Sequence, residues 1–326
     1  MDKYNLRQII LDYPRQLDLG QKFAKGVTVA KKDFKNLVIC GMGGSALPAD
    51  LLASYLANQE ESFGLPVYIS RDYALPAGTD ENSLVFISSY SGNTEETISC
   101  FHHALKVKTS IVAFSERGAV EKMAKENQVP HVKYSIDFPH FQPRYANTYA
   151  FAAMHQVLTN LELTDSIARF PKIDSSKSED YGKRLAKKAK NKIPIVYASN
   201  RFKVIARNWK IKINENAKSP AFWNYFPELN HNEMLGFSLP KNEYFVFMLR
   251  DKEDHPRTRE RMELTSEIYR KKGLETALID IEGENYLEKS LRSLVLGDWV
   301  SYYLAQEYEQ DPTPVDLVEE FKKKLS

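Results

Sequence analysis

Leu37-Val38-Ile39-Cys40-Gly41-Met42-Gly43-Gly44-Ser45 is the stretch on which the fold turns. Four apolar residues in succession read as a buried strand, and Leu47, Leu51, Leu52, Tyr55 and Leu56 then recur at helical spacing beyond the glycines. The pattern returns at Leu84-Val85-Phe86-Ile87, which runs through Ser89-Tyr90-Ser91-Gly92-Asn93-Thr94 into a helix face marked by Ile98, Phe101 and Leu105. A strand that feeds a helix through a tight turn, twice over, predicts a parallel sheet covered by helices on both faces.

Outward from these two junctions, further strands are expected near 67–70 and 111–114, with helices between them. The polar run Asp174-Ser175-Ser176-Lys177-Ser178-Glu179-Asp180 interrupts the alternation and reads as a linker. Beyond it, Ile193-Pro194-Ile195-Val196-Tyr197-Ala198 reads as a new first strand, Val204 to Lys218 as its helix, and 244–249 and 275–280 as later strands before a long helix from about 285 to 309. The expected organisation is an entry helix within 1–25, a first α/β domain over 26–173, a linker at 174–180, and a second α/β domain over 181–326 with a C-terminal helix. At 326 residues the chain suits two domains, and 43% hydrophobic content is enough for a core in each.

Both turns have the chemistry of an anion socket. A helix N-terminus presents unpaired backbone N–H groups, and the second turn adds hydroxyls from Ser89, Ser91 and Thr94. Gly92 allows close approach of a ligand to the backbone, and Asn93 with Glu96 resembles a capping box. Neither turn contains a basic residue, and the Gly-Lys-Ser/Thr of a P-loop is absent, so a phosphorylated small molecule fits better than a nucleoside triphosphate. Gly41-x-Gly43-x-x-Ala46 also fits the dinucleotide fingerprint, but that requires an acid about twenty positions on, and the nearest candidate at a strand end, Asp72, lies well beyond.

Composition excludes several classes of partner. Lys and Arg number 45 against 43 Asp and Glu, leaving a net charge of +2, too small to recruit nucleic acid or a membrane surface. Cys40 and Cys100, both in apolar surroundings, give no disulfide framework and point to a reducing, cytoplasmic setting. No apolar run is long enough to span a bilayer, and the N-terminus lacks a signal-peptide pattern.

A second concentration of chemistry lies around Phe222-Trp223-Asn224-Tyr225-Phe226. Asn214-Glu215-Asn216-Ala217-Lys218 precedes it and Glu228-Leu229-Asn230-His231-Asn232-Glu233 follows, which reads as a pocket rather than a surface loop. His102, His103, His131, His140, His155 and His255 share no metal-ligand spacing, so no metal is expected.

Taken together, Gly-Met-Gly-Gly-Ser at 41–45, Ser-Tyr-Ser-Gly-Asn-Thr-Glu-Glu-Thr at 89–97, Gln-Pro-Arg at 142–144, Ile213 to Lys218, Phe226 to Glu233, Gly297-Asp298-Trp299-Val300 and Asp311-Pro312-Thr313-Pro314-Val315 make the chain resemble the bifunctional phosphoglucose/phosphomannose isomerases of the sugar-isomerase (SIS) domain superfamily. The resemblance implies two tandem SIS domains of flavodoxin-like, doubly wound parallel sheets. It also implies a homodimer with active sites at domain and subunit boundaries, a phosphorylated hexose as substrate, and no cofactor. It gives Ser89, Ser91 and Thr94 the phosphate and places Gly43, Gly44 and Ser45 along the sugar. Glu215 would move a proton between C1 and C2, Arg144 would stabilise the enediolate, and His231, from the neighbouring subunit, would assist ring opening together with a lysine of the terminal helix, Lys322 being chosen among Lys322, Lys323 and Lys324. Two segments depart from the family: Tyr145-Ala146-Asn147-Thr148-Tyr149 is bulkier, and Phe114-Ser115-Glu116-Arg117-Gly118 replaces a smaller turn, so substrate preference is left open. The alternatives are a non-catalytic sugar-phosphate-binding module and an isomerase of another phosphosugar.

Overall fold

The computed structural model describes residues 1–59 and 63–325. Two compact units emerge, one of Tyr13–Lys172 and one of Met1–Asp12 with Ile173–Ser326.

In the first, α2 (Tyr13–Phe23) leads to β1 (Asn36–Cys40), α3 (Leu47–Leu56), β2 (Val67–Ser70), β3 (Ser83–Ser88), α4 (Glu95–Lys106), β4 (Ser110–Ser115), α5 (Ala119–Glu126), β5 (His131–Lys133) and α6 (Asn147–Asn160). The short α1 (Leu6–Leu11) precedes them and belongs to the other unit. All five strands are parallel, in the order β2-β1-β3-β4-β5. Because β1 is flanked by the two strands that follow it, the strand order reverses there, and a crevice opens at the carboxyl ends of β1 and β3. Leu84 to Ile87 are wholly buried, as strands covered on both faces require.

Helix α6 is buried along most of its length and packs against α2 and α3. Gly20 of α2 lies so close to it that a Cβ would fall 2.2 Å from the Tyr149 carbonyl oxygen. His155 of α6 is 1% exposed between Tyr55 and Phe151, and its Nε2 finds no hydrogen-bond partner among the described residues. Burial pushes this imidazole down to about 4. The unfolded chain therefore binds a proton between pH 6.5 and 4 that the folded chain refuses, so the stability present above pH 6.5 is lost as pH falls through that window. Between pH 7 and 5, wild type should lose up to roughly 2 kcal/mol that His155→Met does not, read from denaturant melts at the two pH values. Equal acid sensitivity in the two proteins would refute the assignment.

The other unit continues with α7 (Glu179–Ala189), β6 (Ile193–Ser199), α8 (Lys203–Ala217), β7 (Phe222–Phe226), β8 (Tyr244–Arg250), α9 (Pro256–Lys271), β9 (Glu275–Asp280), α10 (Tyr286–Glu307) and α11 (Asp316–Leu325). Its four strands are parallel in the order β7-β6-β8-β9, again reversing at the first strand. Pro194 is tolerated in central β6 because Ile193 N bonds toward β8, to Glu243 O, so the proline faces β7, where pairing starts only at Ile195. The aromatic segment expected to line a pocket is edge strand β7, with Phe222 exposed and Phe226 buried at opposite ends.

Helices α8 and α10 meet along a polar seam. Lys212 Nζ lies 2.6 Å from Asp298 Oδ1, both nearly inaccessible, and Asn216 Nδ2 donates to Ser301 Oγ at 2.9 Å. Trp209 Nε1 donates to Ser293 O, and only glycine at 297 leaves room for its indole. Among the described residues, no helix is long and apolar enough to cross a membrane.

Candidate active site

At the carboxyl ends of β1 and β3 the two glycine turns lock together. Ser45 Oγ accepts from Tyr90 N at 3.0 Å, and Ser88 Oγ donates to Ser45 O at 3.1 Å. Gly43 takes a left-handed conformation, φ 48°, at the start of a 3-10 turn that leads into α3. Gly44 has a different job: a Cβ there would stand 2.5 Å from the backbone nitrogen of Arg144. A third strand of chain, the turn Pro143–Tyr145, thus lies directly against the first loop.

The second loop is equally constrained. Gly92, at φ 71°, faces the Arg117 carbonyl oxygen, and a Cβ would come within 1.7 Å of it. Ser89 Oγ and Thr94 Oγ1 are 2.9 Å apart, and Ser89 Oγ also accepts from Gly92 N, so the hydroxyls brace the loop as well as line it. Ser91 Oγ accepts from Asn93 N. The expected capping box does not form. Thr94 precedes α4 without a side-chain cap, and Asn93 lies one residue too early, its Oδ1 accepting instead from Ala119 N at the start of α5.

Arg144 is 1% exposed, donating to the Tyr145 hydroxyl at 3.0 Å with its guanidinium 4.6 Å from that ring. Phe141, Tyr149 and Tyr90 extend the aromatic wall. Burial pushes the Tyr90 phenol up, so it stays neutral. Gly43, Gly44, Ser45, Ser89, Ser91, Thr94 and the backbone of Arg144 therefore share one crevice, able to meet an anion with backbone and hydroxyl donors.

The remaining candidates stand on separate elements of the other unit. Glu215 is half-buried on the last turn of α8. His231 ends the 3-10 turn Glu228–His231 and is exposed. Lys322 on α11 is exposed and donates to Glu319 Oε1 at 2.8 Å. The polar cluster around β7 divides: Asn230 donates to Thr265, whereas Glu233 takes the Tyr197 hydroxyl at 2.5 Å and the Asn224 amide. Sequence reasoning assigned Glu233 no partner, because Tyr197 arrives from β6. Among the described residues no three His, Cys, Asp or Glu side chains gather as a metal site.

Comparison with known proteins shows the family of the chain. Residues 178–325 match the family model of the bacterial phospho-glucose isomerase C-terminal SIS domain. The chain is 36% identical to the bifunctional phosphoglucose/phosphomannose isomerase of Caldicellulosiruptor bescii over 97% of its own length and 98% of that protein's. It is 35% identical to the protein of the same name from Aquifex aeolicus, covering 90% and 91% respectively. Among solved structures, a putative phosphosugar isomerase from Clostridium difficile superposes with a TM-score of 0.71 at 14% identity, covering 98% of each chain. That level of identity speaks for the shared fold alone. With the relatives matched along nearly their whole length, the chain belongs to the bifunctional phosphoglucose/phosphomannose isomerase family.

Proposed function

We propose that this chain interconverts glucose 6-phosphate and mannose 6-phosphate with fructose 6-phosphate by proton transfer through an enediolate. The observation that carries the reading is the meeting of two glycine–hydroxyl loops and the Arg144 turn in the crevice at the ends of β1 and β3. Neutral donors in a fixed frame suit a phosphate that must be held and released. In this reading Ser89, Ser91 and Thr94 hold the phosphate, and Gly43, Gly44 and Ser45 line the sugar. Glu215 carries the proton between C1 and C2, and the buried Arg144 guanidinium faces the negative charge that develops between the two transfers. His231 and Lys322 serve ring opening, with His231 reaching the site of a second subunit in a homodimer. No metal or cofactor enters the scheme.

The test is turnover of fructose 6-phosphate with EDTA present, following glucose 6-phosphate and mannose 6-phosphate separately and the entry of solvent deuterium at C2. Both products and exchange at C2 are expected. Tight binding of fructose 6-phosphate without exchange would replace the proposal with a binding module. Ser91→Ala and Thr94→Ala should each raise KM about tenfold with little change in kcat, since each removes a hydrogen bond to a charged group. A fall confined to kcat would move the phosphate elsewhere.

A further inference from the structure

The C-terminal end of α8 carries a feature that the proposed mechanism does not use. Lys218, directly after the helix, is left-handed, with φ 54° and ψ 30°. Glycine ordinarily takes that position, because an L side chain is disfavoured there. Here a lysine takes it, and its ammonium donates to Glu215 O at 2.7 Å, Pro312 O at 3.1 Å and Asn216 O at 3.3 Å. Three hydrogens on Nζ meet three carbonyl oxygens, two of them among the last carbonyls of α8, which lack partners within the helix.

The third carbonyl is the informative one. Pro312 lies in the connection between α10 and α11, where Thr313 is 2% exposed and its N–H is held by Asp311 Oδ1 at 3.0 Å. The turn after α8 has an independent closure, since Asn214 Nδ2 donates to Ser219 O at 2.8 Å. The Lys218 side chain is therefore not the sole means of ending the helix. What it adds is a tie between the main chain of Glu215 and the loop that leads to α11.

We infer that Lys218 is a positioning residue, fixing the Glu215 backbone against the Asp311–Thr313 loop, so that the proton carrier and the C-terminal segment keep one relative placement. This rests on the proposed role of Glu215, and one readout is chosen to stand apart from activity. Three variants of the full chain separate the possibilities. Lys218→Met keeps the left-handed strain and loses the donors. Lys218→Gly relieves the strain and also loses them. Lys218→Arg keeps a charged donor.

Lys218→Met and Lys218→Gly should both lose about tenfold or more in kcat for fructose 6-phosphate, with KM within about twofold of wild type. Lys218→Gly should melt at or above the temperature of Lys218→Met. Amide exchange across 311–315 should accelerate in both, and Lys218→Arg should recover part of kcat and of the protection. Wild-type kcat in Lys218→Gly would reduce Lys218 to a helix terminator. A loss of kcat with unchanged exchange across 311–315 would break the proposed tie. Failure of the functional reading is distinct from either, because wild type itself would then show no turnover while the exchange measurement would still report on the loop.

Discussion

Glu215→Gln should lower kcat for both sugar phosphates by about 10²- to 10⁴-fold, the usual contribution of a positioned general base. Glutamine matches the carboxylate in shape and still accepts a hydrogen bond, but it cannot take the C2 proton. The loops proposed to hold the phosphate stand on the other unit, at the ends of β1 and β3, so KM should change little. Measuring kcat and KM in both directions, with solvent deuterium exchange at C2, separates lost proton transfer from lost binding. Exchange at the wild-type rate in Glu215→Gln would remove the residue from the mechanism. A rise in KM with kcat intact would make it a binding group instead.

Lys212→Met alone should cost about 3–5 kcal/mol of stability, as breaking a buried ion pair on one side removes the opposite charge that offsets the desolvation of the other. Asp298 is 6% exposed and sits 2.6 Å from the ammonium between α8 and α10, where water cannot replace the lost partner. For a unit of this size that corresponds to a fall in melting temperature on the order of 10 °C. Replacing both residues, Lys212→Met with Asp298→Leu, should recover most of the loss, because apolar pairs of similar volume often match a buried ion pair. Thermal melts of the two single variants and the double variant decide it. A double variant no more stable than either single would show that the seam depends on each residue's other contacts rather than on the pair.

Legibility of the sequence followed burial. Leu37 to Cys40 and Leu84 to Ile87 announced themselves because strands covered on both faces are apolar throughout. Strand β5, His131-Val132-Lys133, did not, being three residues long with only Val132 buried. Strand β7 was hidden for a related reason. An edge strand with Trp223, Asn224 and Tyr225 half-exposed has neither the unbroken apolar run nor a clean alternation.

The crevice was legible at the level of its loops but not of its fit. Glycine at 92 could be read as a close approach, yet the atom it approaches, the Arg117 carbonyl oxygen, lies in a different turn. Gly44 is glycine because of a backbone a hundred positions later, at Arg144, and no local pattern carries that information. Asn93 misled for the converse reason. Its spacing to Glu96 satisfied a local rule, while a neighbouring helix offered the unpaired N–H of Ala119.

The division of the chain has a consequence for its biosynthesis. Helix α1 is made before Tyr13–Lys172, yet it belongs with the unit that is made after that segment, where Leu6, Ile9 and Ile10 are buried and α1 packs against α10. During vectorial synthesis Tyr13–Lys172 can close on itself as soon as it emerges. The apolar face of α1 must meanwhile wait in water until residues beyond Tyr286 leave the ribosome. Residues 1–12 can thus take their native place only once α10 has formed, and a fragment starting at Ile173 would leave their seat on α10 bare.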